Sequence, residues 1–331
     1  MDSIATPWMW AGFFAFVVAA TAIDLKVLAA RGATRVSVKE ALGWSALWVA
    51  LALLFAAWLW QHLSGTAGPE VAREKTLEYL TGYLIEKSLS VDNIFVFLML
   101  FTYFAVPPEF QRRALVYGVL GAIALRIVMI LIGAWLIAKF HWIIYVFGLF
   151  LLVTGGKMLL FAGQKPELDT NPVLQWMRGR LRLTAQFHGE RFWIREGGAR
   201  VYTPLFLVLV MIGVTDLVFA VDSIPAIFAI TDDPFIVMTS NIFAVLGLRA
   251  LYFVLADLAD RFHLLNYGLA VVLMFIGVKM LLLEVYKIPV FVALGVVAAL
   301  IGASIVASLV WRPREPEPRA RPIRNPAGER S

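Results

Sequence analysis

Apolar residues in this chain gather in nine long blocks, at about 8 to 30, 41 to 60, 79 to 105, 114 to 138, 142 to 162, 203 to 231, 235 to 257, 265 to 285 and 289 to 311. Each block can supply the roughly 20 residues that a helix needs to cross hydrocarbon. Membrane strands would instead alternate apolar and polar positions over about ten residues, and that pattern is missing. A helix also satisfies its backbone hydrogen bonds within its own segment. The pattern predicts an all-α polytopic membrane protein of about nine transmembrane helices. The leading stretch MDSIATPW carries Asp2 and no Lys or Arg, so the first block is read as a helix rather than a cleaved leader.

Composition agrees. Of 331 residues, 61% are hydrophobic and 16% charged, and a mean hydropathy of +0.80 does not suit a water-facing surface. No cysteine is present, which excludes thiolate metal sites and thiol catalysis. The net charge of +6 does not call for nucleic acid, because the basic residues sit in alternate loops. Arg31, Arg35, Lys39, Arg112, Arg113, Lys165, Arg178, Arg180, Arg182, Arg191, Arg195, Arg200, Arg261 and six tail arginines fall on one side. The opposite loops hold Arg73, Lys75, Lys139 and Lys287. With nine spans, the N-terminus is expected outside and the C-terminus in the cytoplasm.

Residues 1–311 read as a single transmembrane domain. Between spans 5 and 6, residues 163–202 form a basic loop with the string RGRLRL and a hairpin signal, FWIREGGARVY, turning at Gly197 and Gly198. Lipid headgroups account for its charge, and a cytoplasmic protein is the other partner that it could serve. Residues 312–331 have the proline and charge content of a disordered basic tail. No nucleotide-binding loop, nucleophile elbow or HExxH string occurs, so no enzyme is expected and no permanently bound cofactor is implied.

Two blocks each keep a pair of carboxylates. EKSLSVDNIFVFLMLF, residues 86 to 101, places Glu86 and Asp92 six apart, and TDLVFAVDSIPAIFAIT, residues 215 to 231, does the same with Asp216 and Asp222. Asn93 then aligns with Ser223, Arg126 with Arg249 after a small gap, KFHWIIY with RFHLLNY, and GKMLL at 156 with VKMLL at 278. The repeated unit is three helices, spans 3–5 (about 79–162) and spans 6–8 (about 203–285). Because three is odd, the second copy enters the membrane in the opposite sense, giving an inverted repeat of the kind found in secondary transporters.

A lone carboxylate at mid-membrane costs about 2.5–3.5 kcal/mol, so these acids should face inward and be satisfied. On a continuous helix Asp92 lies roughly 120° from the stripe of Glu86, Ser90 and Asn93, and Asp222 is similarly offset from Asp216 and Ser223. Pro225 has no N–H and would leave the Val221 carbonyl unpaired beside Asp222, so a helix break is expected there. Carboxylates, Asn93, Ser223 and freed carbonyls are hard oxygen ligands suited to manganese, calcium or magnesium. The competing reading is a set of static ion pairs with buried bases, for which Lys87, Arg126 and Arg249 are the candidate counterions.

The stretches YLIEKSLSVDNIFVF and TDLVFAVDSIPAIFAIT resemble the TerC family of tellurium-resistance-associated membrane proteins, and the resemblance runs from span 1 to span 9. It implies a role in metal homeostasis, with Mn2+ as the exported ion. Carried onto this chain, Glu86, Asp92, Asn93, Asp216, Asp222 and Ser223 are the implied ion-site positions. Gly213 departs from the family pattern, which has Glu there, and takes one carboxylate from the ligand count. Export of a divalent cation through a midplane site built by both repeats is the expected function. The alternative is a membrane scaffold, a stress-complex or insertion partner without transport.

Overall fold

The computed structural model describes residues 3–31, 37–140, 142–160, 171–255, 264–283, 285–286 and 288–311. The tail 312–331, the first part of the basic loop, His141, Asp257, Arg261, His263 and the side chain of Asp92 lie outside that description. Eleven helices and one hairpin follow in the order α1 (Pro7–Arg31), α2 (Val38–Thr66), α3 (Pro69–Tyr103), α4 (Pro108–Lys139), α5 (Ile143–Leu160), α6 (Pro172–Arg180), β1 (Trp193–Glu196), β2 (Ala199–Tyr202), α7 (Pro204–Phe228), α8 (Pro234–Leu246), α9 (Leu248–Leu255), α10 (Leu265–Leu281) and α11 (Val290–Val310).

Local chemistry sets the boundaries. Helices α3, α4, α6, α7 and α8 each begin on a proline, whose fixed φ suits the first turn and whose missing N–H would have no partner there. Asp233 caps α8, accepting from the Phe235 N–H at 2.8 Å, and Asn171 caps α6 through the N–H groups of Val173 and Leu174. The hairpin expected from FWIREGGARVY is present, with Arg195 opposite Arg200. Gly197 and Gly198 take φ values of 56° and 80°, the left-handed pair that a two-residue hairpin turn requires.

Every one of the nine apolar blocks holds described helix, and the all-helical membrane class stands. Five of the described helices, α2, α4, α5, α7 and α11, are long and apolar enough to cross a membrane, or six if the bent pair α8 and α9 forms one span. That is fewer than the nine crossings that the blocks predict. Helices α1 and α10 are apolar over shorter stretches. Glu86, Lys87 and Asp92 sit in the middle of α3, whose 35 residues reach about 52 Å and exceed the hydrocarbon thickness. Leu53, Leu54 and Trp58 on α2, Leu131 and Trp135 on α4, and Val306 and Val310 on α11 point outward, as suits helices whose solvent is lipid.

Inside the bundle, α3 packs extensively on α8, α4 on α7, α3 on α7, and α5 on α10. The α5–α10 contact is backbone to backbone. A Cβ on Gly148 would lie 3.1 Å from the Gly277 carbonyl oxygen, and one on Gly155 would lie 2.8 Å from that of Ala270. The residue numbers rise along α5 as they fall along α10, so the two helices run antiparallel. Gly82 likewise lets α3 meet Ser240 of α8, and Gly118 lets α4 meet Ile212 of α7.

One expectation fails. Helix α7 continues through Pro225 to Phe228 without a break. Pro225 lies in the last turn, so only the Val221 carbonyl loses its donor and the helix ends before a kink would gain anything. The bend lies instead at Gly247, where α8 and α9 meet at 41°.

A buried charge cluster where α3 crosses α7

Four helices deliver polar side chains to one dry place. Helix α3 contributes Glu86, Ser90 and Asn93, α7 contributes Asp216, α4 contributes Arg126 and α8 contributes Asn241. Arg126, Glu86 and Asn241 are each 0% exposed, and Asp216 is 2% exposed. Glu86 and Asn93 are seven residues apart, close to two full helical turns, so they share a face of α3 with Ser90 between them.

Arg126 organises the cluster. Its Nη1 donates to Glu86 Oε1 and to Asn241 Oδ1 at 2.9 Å. Its Nε and Nη2 donate to Asp216 Oδ2 and Oδ1 at 3.4 and 3.1 Å. Asn241 Nδ2 returns a bond to Glu86 Oε2 at 3.0 Å, and Asn93 Nδ2 donates to Asp216 Oδ1 at 3.3 Å. Ser90 Oγ reaches Glu86 Oε1 at 3.4 Å. Two carboxylates thus share one guanidinium, leaving a formal charge of −1 where desolvation makes excess charge expensive. Among the described residues, Asn93 Oδ1 of this cluster and Ser223 Oγ, buried two turns further along α7, have no hydrogen-bond partner, and each such buried atom costs about 1–3 kcal/mol.

Of the six residues expected at an ion site, the structure brings Glu86, Asn93 and Asp216 into this cluster. Ser223 is buried on α7, seven residues beyond Asp216 and on the same face. Asp222 is half-buried and turns toward α5, where Thr154 hydrogen-bonds its carboxylate. Among the described residues, no three Asp, Glu, His or Cys side chains stand close enough together to hold a metal ion. In this conformation the guanidinium lies between the two buried acids.

The three candidate counterions separate. Arg126 is one. Lys87 makes no bond to either acid: its Nζ donates to the Ala244 carbonyl at 3.2 Å, and its charge acts on Glu86 only through space. There it holds one of the last carbonyls of α8, a position favourable for a cation. Gly247 leaves room for it, since a Cβ there would lie 2.7 Å from Nζ. Arg249 does not reach the cluster either, because the bend at Gly247 carries it to a small cavity lined by Glu40, Trp44 and Arg112.

Sequence reasoning missed two polar groups. Asn241 sits in the apolar string PFIVMTSNIFAVL, and an amide in such a setting is the signal that could have found it. Glu78, only 4% exposed, accepts from Lys75 at 2.8 Å and from Thr231 at 2.6 Å. It lines a cleft of about 690 Å³ with Glu70, Glu74 and Lys279. Lys279 does not extend to a membrane surface as a lysine near a helix end would; its Nζ is buried and donates to the Ala229 carbonyl at 3.0 Å.

The sequence profile of the integral membrane protein TerC family matches residues 71–316. A Salmonella typhi protein named Alx, described as a proposed membrane-bound redox modulator, is 55% identical over 306 residues, covering 92% of this chain and 95% of its own. The protein of the same name from Escherichia coli K12 is 54% identical over 297 residues, or 90% and 92% of the two chains. A membrane protein of Myxococcus xanthus is 49% identical over 308 residues, or 93% and 94%. No solved structure matches the chain.

Proposed function

Because this chain belongs to the TerC family of integral membrane proteins, we propose that it is a secondary exporter of a divalent cation, Mn2+, with the transported ion drawn to the acids where α3 crosses α7. The observation that carries this reading is the imbalance of the buried cluster. Among the described residues Arg126 is the one cation bonded to Glu86 and Asp216, Lys87 acting on Glu86 only at a distance, and Asn93 Oδ1 and the buried Ser223 Oγ on the same two helices have no hydrogen-bond partner. A permanent structural network would be expected to balance its charge and fill its acceptors. A site that must take up and release a cation benefits from a deficit. Oxygen donors alone favour Mn2+ over soft ions such as Cu+.

The full reading has nine crossings, with α3–α5 and α7–α10 as inverted repeats. Contact geometry supports it. Lys157 and Lys279 are 122 apart, as are Gly148 and Ala270, and Gly155 and Gly277. Exchanging the repeats therefore converts the Gly148–Gly277 contact into the Ala270–Gly155 contact, and both occur. In the first helices the shift is 130, since Glu86 aligns with Asp216. Gly82 of α3 meets Ser240 of α8, and its equivalent Ile212 of α7 meets Gly118 of α4, so the corresponding pairs of helices touch. Antiparallel pairing of α5 with α10 is what opposite insertion requires.

The distribution of Lys and Arg supports an outside N-terminus and a cytoplasmic C-terminus, with the basic 163–202 loop facing anionic lipid or a cytoplasmic protein. Since the chain has no native cysteine, a single cysteine placed at His188 should react with an impermeant thiol reagent only after cells are opened. Labelling in sealed cells would reject this orientation.

A second reading, a scaffold without transport, draws on the fact that Arg126 already bonds both buried acids. The redox description attached to Alx does not extend to thiol exchange in a chain without cysteine. Flux separates the two readings. Purified protein in liposomes loaded with Mn2+ should release the ion well above protein-free liposomes and should leave Cu+ in place. Release no faster than from empty liposomes, at a verified protein content, would favour the scaffold.

A further inference from the structure

We infer that Arg126 is a built-in substitute for the transported cation. In the ion-free protein its guanidinium takes the place between Glu86 and Asp216 that the divalent ion takes when bound, and this lets the empty carrier reorient. The inference rests on the transport reading and goes beyond it by assigning the return step.

The geometry has three parts. Arg126 comes from α4, a different helix from either acid, so its reach to them does not depend on the α3–α7 crossing. It grips Asp216 with two nitrogens, Nε and Nη2, and Glu86 with the third, Nη1. A divalent ion would need the same carboxylate oxygens at about 2.0–2.6 Å. The two cations therefore compete for one set of lone pairs and repel each other in a medium of low dielectric. Asn241 supplies the third part, an uncharged acceptor 2.9 Å from Nη1 that can keep hold of the guanidinium when the carboxylates release it.

A carrier returning empty would otherwise move two uncompensated buried carboxylates, at a cost of several kcal/mol each. Protonation is one remedy. A guanidinium is another, and because it stays charged at any physiological pH it needs no proton at the moment of release. The repeat offers no second copy: Arg249 lies beside Glu40 and Arg112, so one arginine serves both acids.

Two transport modes distinguish this role. Net Mn2+ efflux from loaded liposomes into Mn2+-free medium requires the empty return, whereas exchange of labelled for unlabelled Mn2+ at equal concentrations does not. In Arg126→Gln, the ratio of net efflux to exchange should fall at least about tenfold from the parent's, the loss that 1.4 kcal/mol on the return barrier gives. Arg126→Lys keeps the charge but loses the two-nitrogen grip, and its net-to-exchange ratio should lie between the two. Since Arg126→Gln leaves two acids unbalanced, it is purified with Mn2+ present, and Mn2+ should raise its melting temperature by more than it raises the parent's.

An unchanged ratio in both variants overturns the inference, as does equal loss of both modes in folded Arg126→Lys. A Mn2+-induced melting shift no larger than the parent's also overturns it. Absence of Mn2+ flux from the parent protein sinks the transport reading itself, so the two failures are distinguishable.

Discussion

Asp216→Asn and Glu86→Gln should each reduce Mn2+ efflux about 100-fold or more while leaving the fold intact. The cluster holds two carboxylates and one guanidinium, so removing one acid changes its formal charge from −1 to 0. The amide keeps the size of the carboxylate, and its oxygen can still accept from Arg126. Melting temperature in detergent is therefore expected to stay within about 2 °C of the parent, the shift that roughly 1 kcal/mol gives in a chain of this size. Transport has no such compensation. The incoming ion meets one carboxylate in place of two, and that one is held by an arginine that no longer has a second carboxylate to share its charge. A 100-fold loss corresponds to about 2.7 kcal/mol, modest for one buried charge–charge contact. Efflux assays paired with thermal unfolding separate the cases: parental flux from both variants would remove these acids from the transport path.

Most of this architecture was legible because a membrane helix is written in composition. The nine apolar blocks fall on described helix, and the turn at Gly197 and Gly198 follows from the need for two residues at positive φ. The number of crossings was less legible. Block length records how much helix exists, whereas crossing depends on how charges such as Glu86 and Lys87 are buried against other helices. The acids themselves were conspicuous, since carboxylates in hydrophobic spans are expensive and few, and their spacing exposed the repeat.

Partner choice within the site could not be read in the same way. Arg126 and Arg249 align, yet only Arg126 reaches the acids, because the second repeat bends at Gly247 and the first does not bend at the corresponding place on α4. Pro225 drew attention as the expected break, but a proline in a last turn removes a single bond. A glycine followed by a new helix redirects the chain by 41°. Lys87, adjacent to Glu86 in sequence, projects about 100° around the helix from it and serves the end of α8 instead. Asn241 has no charge to mark it, and its role follows only from the packing of α8 on α3 and α4.

Asp222→Asn should lower Mn2+ efflux at least about tenfold and, unlike the cluster variants, should raise the melting temperature. Among the described residues Asp222 has no basic partner, and its carboxylate accepts from the hydroxyl of Thr154. An ionised acid so placed in a span is a burden of about 2.5–3.5 kcal/mol on the insertion scale, and the static ion-pair account that could explain Glu86 and Asp216 does not apply to it. Replacing the acid with an amide relieves part of that burden. A gain of about 1–2 kcal/mol would appear as a rise of roughly 1.5–4 °C, and a function that depends on an unfavourable charge is lost as stability rises. In the proposed inverted repeat Asp92 holds the position of Asp222, six residues beyond Glu86 as Asp222 is beyond Asp216, so Asp92→Asn should lower efflux to a similar extent. Flux and melting measured together decide the matter. If both amide variants move Mn2+ at the parental rate, neither acid meets the ion; if only one is impaired, the two repeats do not contribute equivalent ligands, and the site belongs to one half of the protein.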